Sequence, residues 1–230
     1  MRVTATDLTW PLLLDLSTAY AGVNPNVAVA PSQATDAALP GMLAAGQTDL
    51  ALTTAPDPKL FATPIGYVPL QVVVHPSNPL TTVSVAQVQA LFDGRITDWS
   101  QLGGRGGPVQ VVARAPDSDA ARALSGTAIG PMTVTANALL APTWDAMHDL
   151  VGQNPSDVGY LIGPKLDAAV KPITLIGADG APVSLRVLAV AVAASDPSGA
   201  ARDFLAWAQS AAGQAVVGRR NEKLEVGGGK

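Results

Sequence analysis

The run Val183 to Ala194, VSLRVLAVAVAA, restricts most strongly what this chain can fold into. It is a nearly continuous apolar stretch, and at that length it reads as a strand buried on both faces. Its most apolar part, Val187 to Ala194, is too short to span a bilayer. Val68 to His75 is a second long apolar strand, leaving through the proline-rich exit His75-Pro76-Ser77-Asn78-Pro79. Strands covered on both faces need helices on both faces, so the class is α/β with mostly parallel sheets.

The remaining windows alternate accordingly. Strands are expected at Val27–Ala30, Asp49–Thr53, Val109–Ala113 and Gly159–Ile162, and at Ile173–Ile176 leading into a hairpin turn at Ala178-Asp179-Gly180. Helices are expected at Leu12–Tyr20, Ala37–Ala45, Val85–Phe92, from Asp119, at Ala136–Leu140, Trp144–Gln153 and Gly199–Ala212. The crossings near His75–Pro79 and Pro182–Leu188 divide the chain into a first lobe, residues 1–75 with 183–230, and a second lobe, residues 76–182.

With 230 residues, 48% hydrophobic and only 14% charged, the chain has ample core and is not disordered. Soluble domains average about 25% charged. A net charge of −4 with no Lys/Arg run argues against a nucleic-acid surface. The absence of cysteine excludes disulfides and thiolate metal sites. Met1-Arg2-Val3-Thr4 starts directly in a strand-like pattern without a signal-peptide core, as in a cytosolic chain or a trimmed mature form. Gly227-Gly228-Gly229-Lys230 reads as a flexible tail.

The chemically suggestive unit is VQVVARAPDSDAARAL, Val109 to Leu124. It places Arg114 at the end of a strand, just before the start of a helix capped near Ser118. A guanidinium beside free helix-start N–H groups can hold a carboxylate, sulfate or phosphate. The alternative is an ordinary capped helix with a solvated arginine. Thr53 and Thr54 end another strand, where open α/β sheets bind ligands. Neither histidine, His75 or His148, has a nucleophile or acid motif beside it, and both read as structural. The nucleophile elbow, zincin, Walker and dinucleotide signatures are missing, so neither an enzyme nor a cofactor is expected.

The run NPLTTVSVAQVQALFDGRITDWSQLGGRGGPVQVVARAPDS, Asn78 to Ser118, resembles the phosphate-type periplasmic substrate-binding proteins of ABC transporters. Phe92, Gly94, Ile96, Trp99, Leu102-Gly103-Gly104, Arg114 and Ser118 carry the likeness. Gly46 to Ala51, Asp157 to Leu161 and Ser210 to Gln214 extend it over nearly the whole chain. The resemblance implies a two-lobed type II periplasmic-binding-protein fold, each lobe a mostly parallel sheet flanked by helices, closing a cleft on an anion without chemistry. It implies ligand positions at Thr9, Trp10, near Thr35 or Asp36, and at Thr54, and in the second lobe at Arg114, Ser118, Asp119 and Ala120. The expected partners are a small anionic ligand and a membrane permease. The protein is expected to work outside the cytoplasm, as a monomer, its signal segment not included in this chain. A sensor or protein-interaction domain of the same fold is the alternative.

The chain departs from that pattern at three positions. The family's phosphate binders have aspartate where Thr54 stands, and glycine and threonine where Asp119 and Ala120 stand. A carboxylate facing an anion at ~4 Å would repel it by about 4 kcal/mol at an effective dielectric near 20. Three alternatives follow: the ligand is not phosphate, Asp119 points away, or the site is degenerate. Weak binding of free phosphate is the expectation.

Overall fold

The structure is a computed structural model that describes residues 1–224; the tail Gly227–Lys230 lies outside the described residues. In chain order the elements are β1 (Arg2–Ala5), α1 (Trp10–Val23), β2 (Ala30–Gln33), α2 (Leu39–Ala44), β3 (Leu50–Thr53) and β4 (Phe61–Val74). Next come β5 (Thr82–Ser84), α3 (Val85–Phe92), β6 (Gln110–Ala113), α4 (Asp119–Ser125), β7 (Leu139–Leu140), α5 (Trp144–Gln153) and β8 (Asp157–Ile162). The chain closes with β9 (Lys171–Pro172), β10 (Thr174–Ile176), β11 (Pro182–Val183), β12 (Leu185–Ala193), α6 (Gly199–Gln209) and α7 (Ala211–Val217). Two compact units result, Met1–Val68 with the chain from Leu188 onward, and Pro69–Val187. The fold is mixed α/β, as its alternating pattern dictates. Among the described residues no helix is long and apolar enough to cross a membrane.

In the first unit β1 pairs in parallel with β2 on one side and β3 on the other, and β12 lies antiparallel to β3. Val3, Ala5, Leu50 and Leu52 are fully buried in this sheet. One face packs Ala51, Val190 and Val192 against Leu39 and Leu43 of α2. Helix α1 buries Leu12, Leu13, Leu16 and Tyr20, and the Tyr20 ring meets Phe204 edge-on and Trp207 at a tilt, both at 5.1 Å. The single helix expected over Gly199–Ala212 is two helices. Ser210 is extended and caps α7 by accepting from the Gly213 N–H at 3.3 Å. A Cβ on Gly213 would stand 2.2 Å from the Trp207 carbonyl oxygen, so the corner admits only glycine.

In the second unit β4 is antiparallel to β8 over Leu70–Val74, and β8, β6 and β7 run parallel. Strands β11, β10 and β5 make a separate small sheet around the turn at Gly180, whose φ is +80°. Helix α3 occupies the expected span. The Ser84 hydroxyl accepts from the Gln87 N–H at 3.1 Å and the Gln87 side-chain Oε1 accepts from the Ser84 N–H at 2.7 Å, a reciprocal cap. Gly94 ends this region at φ +81°, and a Cβ there would lie 2.8 Å from Thr135 Oγ1. A single 3-10 turn, Trp99–Leu102, follows under a second reciprocal cap from Asp98 and Gln101. The segment Phe92–Gly104 thus serves packing.

Three expectations are corrected. The strand placed at Val27–Ala30 is β2, Ala30–Gln33, an exposed edge strand whose weakly apolar residues left no alternation to read. Ala136–Leu140, expected to be helical, contains β7 instead, because parallel pairing with Val112 and Ala113 overrides local helix propensity. The run Val183–Ala194 breaks at Ser184, since its first residue closes the β10–β11 hairpin.

Asp157, at the start of β8, is only 2% exposed. Burial pushes its carboxyl up to about 6, against the weaker lowering effect of the Asn154 amide at 3.4 Å. The native state therefore holds a proton between about pH 4 and 6 that the unfolded chain releases, so this group's contribution to stability falls as pH rises through that window. Asp157→Asn should raise unfolding free energy relative to the parent by up to about 3 kcal/mol at pH 7 and by little at pH 3.5. Urea unfolding at the two pH values measures this; equal effects at both would refute it.

Candidate functional site

Each unit gathers sequence-nominated residues at the C-terminal ends of parallel strands. In the first unit these are the ends of β1, β2 and β3. Thr9 lies just beyond β1 and is fully buried. Its hydroxyl donates to the Leu52 carbonyl at 2.7 Å and accepts from the Thr6 N–H at 3.1 Å, which fastens the start of α1 to the end of β3. Trp10 opens α1 and is half-buried, with Pro11 beside it in the first turn. Thr35 follows β2 and is exposed, while Asp36 is half-buried. Asp36 reaches β3, where the Thr53 hydroxyl donates to Asp36 Oδ1 and accepts from the Ala55 N–H at 3.0 Å. Thr54 is half-buried next to this pair. A carboxylate from beyond the end of β2 is thus brought to the end of β3, although β1 lies between the two strands.

In the second unit the ends of β8, β6 and β7 lie side by side. Arg114 leaves β6 and is 8% exposed. Its Nη1 donates to the Ala141 carbonyl at 3.1 Å, and its guanidinium carbon stands 5.2 Å from the centre of the Trp144 ring. The Arg114 main-chain N–H donates to the Tyr160 hydroxyl at 3.3 Å. Tyr160 in turn meets Trp144 edge-on at 6.1 Å and Phe92 at 5.9 Å. Burial pushes the Tyr160 phenol up to about 12, so it stays neutral at any working pH. The cation is thus held by a carbonyl dipole and an aromatic face, both of which favour positive charge.

Ser118 caps α4 and accepts from the Ala121 N–H at 3.2 Å, which leaves its hydroxyl proton able to donate. Ala120 is buried. The Asp119 carboxylate is 10% exposed and pairs with Arg122 one turn along the same helix. Arg122 also donates to the Asp117 carbonyl at 2.5 Å. Asp119 thus has a cationic partner in α4 itself.

Sequence reasoning missed Ala141, Trp144 and Tyr160, which lie 27, 30 and 46 residues beyond Arg114. Only strand register brings them together. Helix α5, which carries Trp144, is tied to the segment after β8 by Lys165–Asp145 at 2.5 Å and His148–Asp167 at 2.8 Å. Asp167, with a smaller effect from Asp149, holds the His148 imidazolium above the ordinary histidine range. Among the described residues no cluster of three or more His, Asp or Glu side chains could hold a metal ion.

Tyr160→Phe should lower unfolding free energy by about 1–3 kcal/mol, because it removes the acceptor of a buried main-chain N–H. Urea unfolding with matched far-UV spectra checks this, and an unchanged midpoint would count against the bond.

Comparison with solved structures places this fold. An ABC-type phosphate transport receptor from Vibrio cholerae is 21% identical, with 98% of this chain and 100% of that one covered and a TM-score of 0.77. A putative phosphate ABC transporter substrate-binding protein with bound phosphate, from Clostridium perfringens, is 20% identical over 98% and 99% of the two chains, with a TM-score of 0.84. The reduced form of the OxyR regulatory domain from Pseudomonas aeruginosa is 14% identical over 90% and 95%, with a TM-score of 0.65. Transport receptors and a regulator thus share the architecture. The sequence also matches the PBP superfamily domain over residues 1–212, and the chain belongs to that family.

Proposed function

We propose that this protein is an extracytoplasmic solute-binding protein of the phosphate ABC-transporter type, which binds a small oxyanion or related anionic ligand and delivers it to a permease. One observation carries the reading. Arg114 is a buried cation at the end of a parallel strand, with its guanidinium on the Ala141 carbonyl and over the Trp144 face. A planar guanidinium fixed in advance binds an oxyanion without first being ordered. Ser118 Oγ–H is the second donor of this unit. In the first unit Thr53, Thr54 and Asp36 are the proposed ligand residues, with Asp36 able to accept a proton from a protonated oxyanion. Thr9 acts by holding the start of α1, and Trp10 and Thr35 flank the same strand ends. Asp119 and Ala120 form the first turn behind Ser118. The reading involves no chemical step. It is supported by the family and by the phosphate receptors among its structural relatives.

The likeness to the OxyR regulatory domain favours a second reading, a ligand sensor without transport. Both readings require anion binding, and a transport assay with the cognate permease separates them.

Calorimetric titration with phosphate, sulfate, molybdate and small carboxylates tests the proposal. Arg114→Ala should weaken the ligand found by about 1.5–3 kcal/mol, roughly 10- to 150-fold, the worth of a hydrogen bond to a charged group. Arg114→Lys should lose part of this, because it keeps the charge and loses the fork. Unchanged affinity in Arg114→Ala would remove Arg114 from the site.

A further inference from the structure

The second unit holds a cavity of about 240 Å³ at the N-terminal ends of β6 and β8, the opposite end of β6 from Arg114. It is lined by Asn78 and Pro79 from the segment after β4, Trp99 and Arg105 from the segment before β6, and Pro155 and Ser156 from the turn before β8. Each segment is tied down. Lys171 Nζ donates to the Asn78 carbonyl, and the Gln110 N–H donates to the Ser156 carbonyl at 2.9 Å. The Trp99 N–H donates to the Gly107 carbonyl at 3.0 Å, and the Gly107 N–H donates to Asp98 Oδ2 at 3.1 Å. The loop that carries Arg105 is therefore fastened at both shoulders.

The lining supplies donors without internal acceptors. Asn78 is only 6% exposed, and its Oδ1 accepts from the Leu80 N–H at 3.0 Å. That bond leaves Nδ2 facing away from the turn, and among the described residues nothing accepts from it. A buried amide donor is costly to leave unpaired, so water or a ligand must supply the acceptor. Arg105 is exposed, and among the described residues its guanidinium has no ion-pair partner. The Ser156 hydroxyl is a third donor. Two acids adjoin the lining in sequence, and both are engaged. Asp98 accepts from the Ser100 N–H at 2.8 Å and its hydroxyl at 2.6 Å as well as from Gly107. Asp157 is buried and bonded to the Asn154 amide at 3.4 Å.

We propose that this cavity binds a short-chain monocarboxylate. Arg105, Asn78 Nδ2 and the Ser156 hydroxyl hold the carboxylate, and Pro79, Pro155 and Trp99 flank the hydrocarbon body. A guanidinium fork matches the two oxygens of a carboxylate. One cation balances one negative charge, which favours a monoanion over a doubly charged phosphate. The ring walls offer a hydrocarbon body burial that an inorganic oxyanion cannot use. The volume lies below the roughly 300–1,000 Å³ of drug-sized sites, which sets the ligand at a few carbons. This site is independent of Arg114 and of the reading above.

Butyrate and inorganic phosphate are titrated into the isotope-labelled protein and followed by amide NMR. Butyrate should shift the Gly106 and Gly107 backbone amides and the Asn78 side-chain amide saturably, and phosphate should not do so at the same concentrations. Arg105→Ala should weaken that binding about tenfold or more, the worth of one hydrogen bond to a charged group. Asn78→Asp keeps the acceptor for the Leu80 N–H but replaces the free donor with an anionic oxygen, and should abolish the response. Arg105→Glu, on an exposed loop, gives the same readout if Asn78→Asp fails to fold by circular dichroism. Arg105→Ala should leave the calorimetric anion titration that tests Arg114 unchanged, so the two sites are judged separately. No saturable shift at positions 78, 106 and 107, or one indifferent to Arg105→Ala, overturns the inference. An equal response to phosphate overturns the monocarboxylate class.

Discussion

Two neighbouring parallel strands cannot be joined by a tight turn, so the chain must return across the sheet before starting the next strand. That constraint organises everything described above. In the first unit β1, β2 and β3 are parallel, and in the second β8, β6 and β7 are. Each set leaves its C-terminal ends along one edge, so the segments leaving those ends are neighbours however far apart they are in sequence. Thr9 meets Leu52 and Asp36 meets Thr53 for this reason, and Arg114 likewise meets Ala141 and Tyr160.

The second consequence is electrostatic. Taking a guanidinium out of water is costly, and an interior carboxylate would offset the cost but also cancel the charge. In the second unit a carbonyl oxygen, an indole face and a phenol that stays neutral lie beside Arg114. These groups contribute to stabilising the buried cation. Asp119 bears on this balance too. Pairing with Arg122 makes its charge internal to α4, so the carboxylate that looked hostile to an anion has a local counter-ion.

Elements specified by local chemistry were legible in the sequence. The reciprocal cap at Ser84 and Gln87 and the Thr143 cap of α5 mark helices whose bounds match the expected spans, Val85–Phe92 and Trp144–Gln153. Arg114 was legible as well, because a strand, an arginine and a capped helix are consecutive. Where pairing or crowding at a distance decides, the pattern misled. The break at Ser210 depends on how closely Gly213 approaches Trp207, and β7 exists only because β6 offers it an edge. The aromatic setting of Arg114 left no trace in the sequence, since nothing local to Trp144 or Tyr160 points back to position 114. Asp36 was nominated, but its bond to Thr53 spans two strand ends and follows from register alone.

One acceptor that holds the Arg114 guanidinium is the main-chain carbonyl of residue 141. Every amino acid carries that oxygen, so the contact is silent to side-chain scanning, and substitutions at 141 report only on the room around its buried methyl group. What governs the contact is the path of the backbone between β7 and α5. An insertion or deletion of one residue in that short connection would rotate the carbonyl away from the guanidinium while every nominated side chain remained in the sequence. The aim of the cation is thus written in the length of a loop.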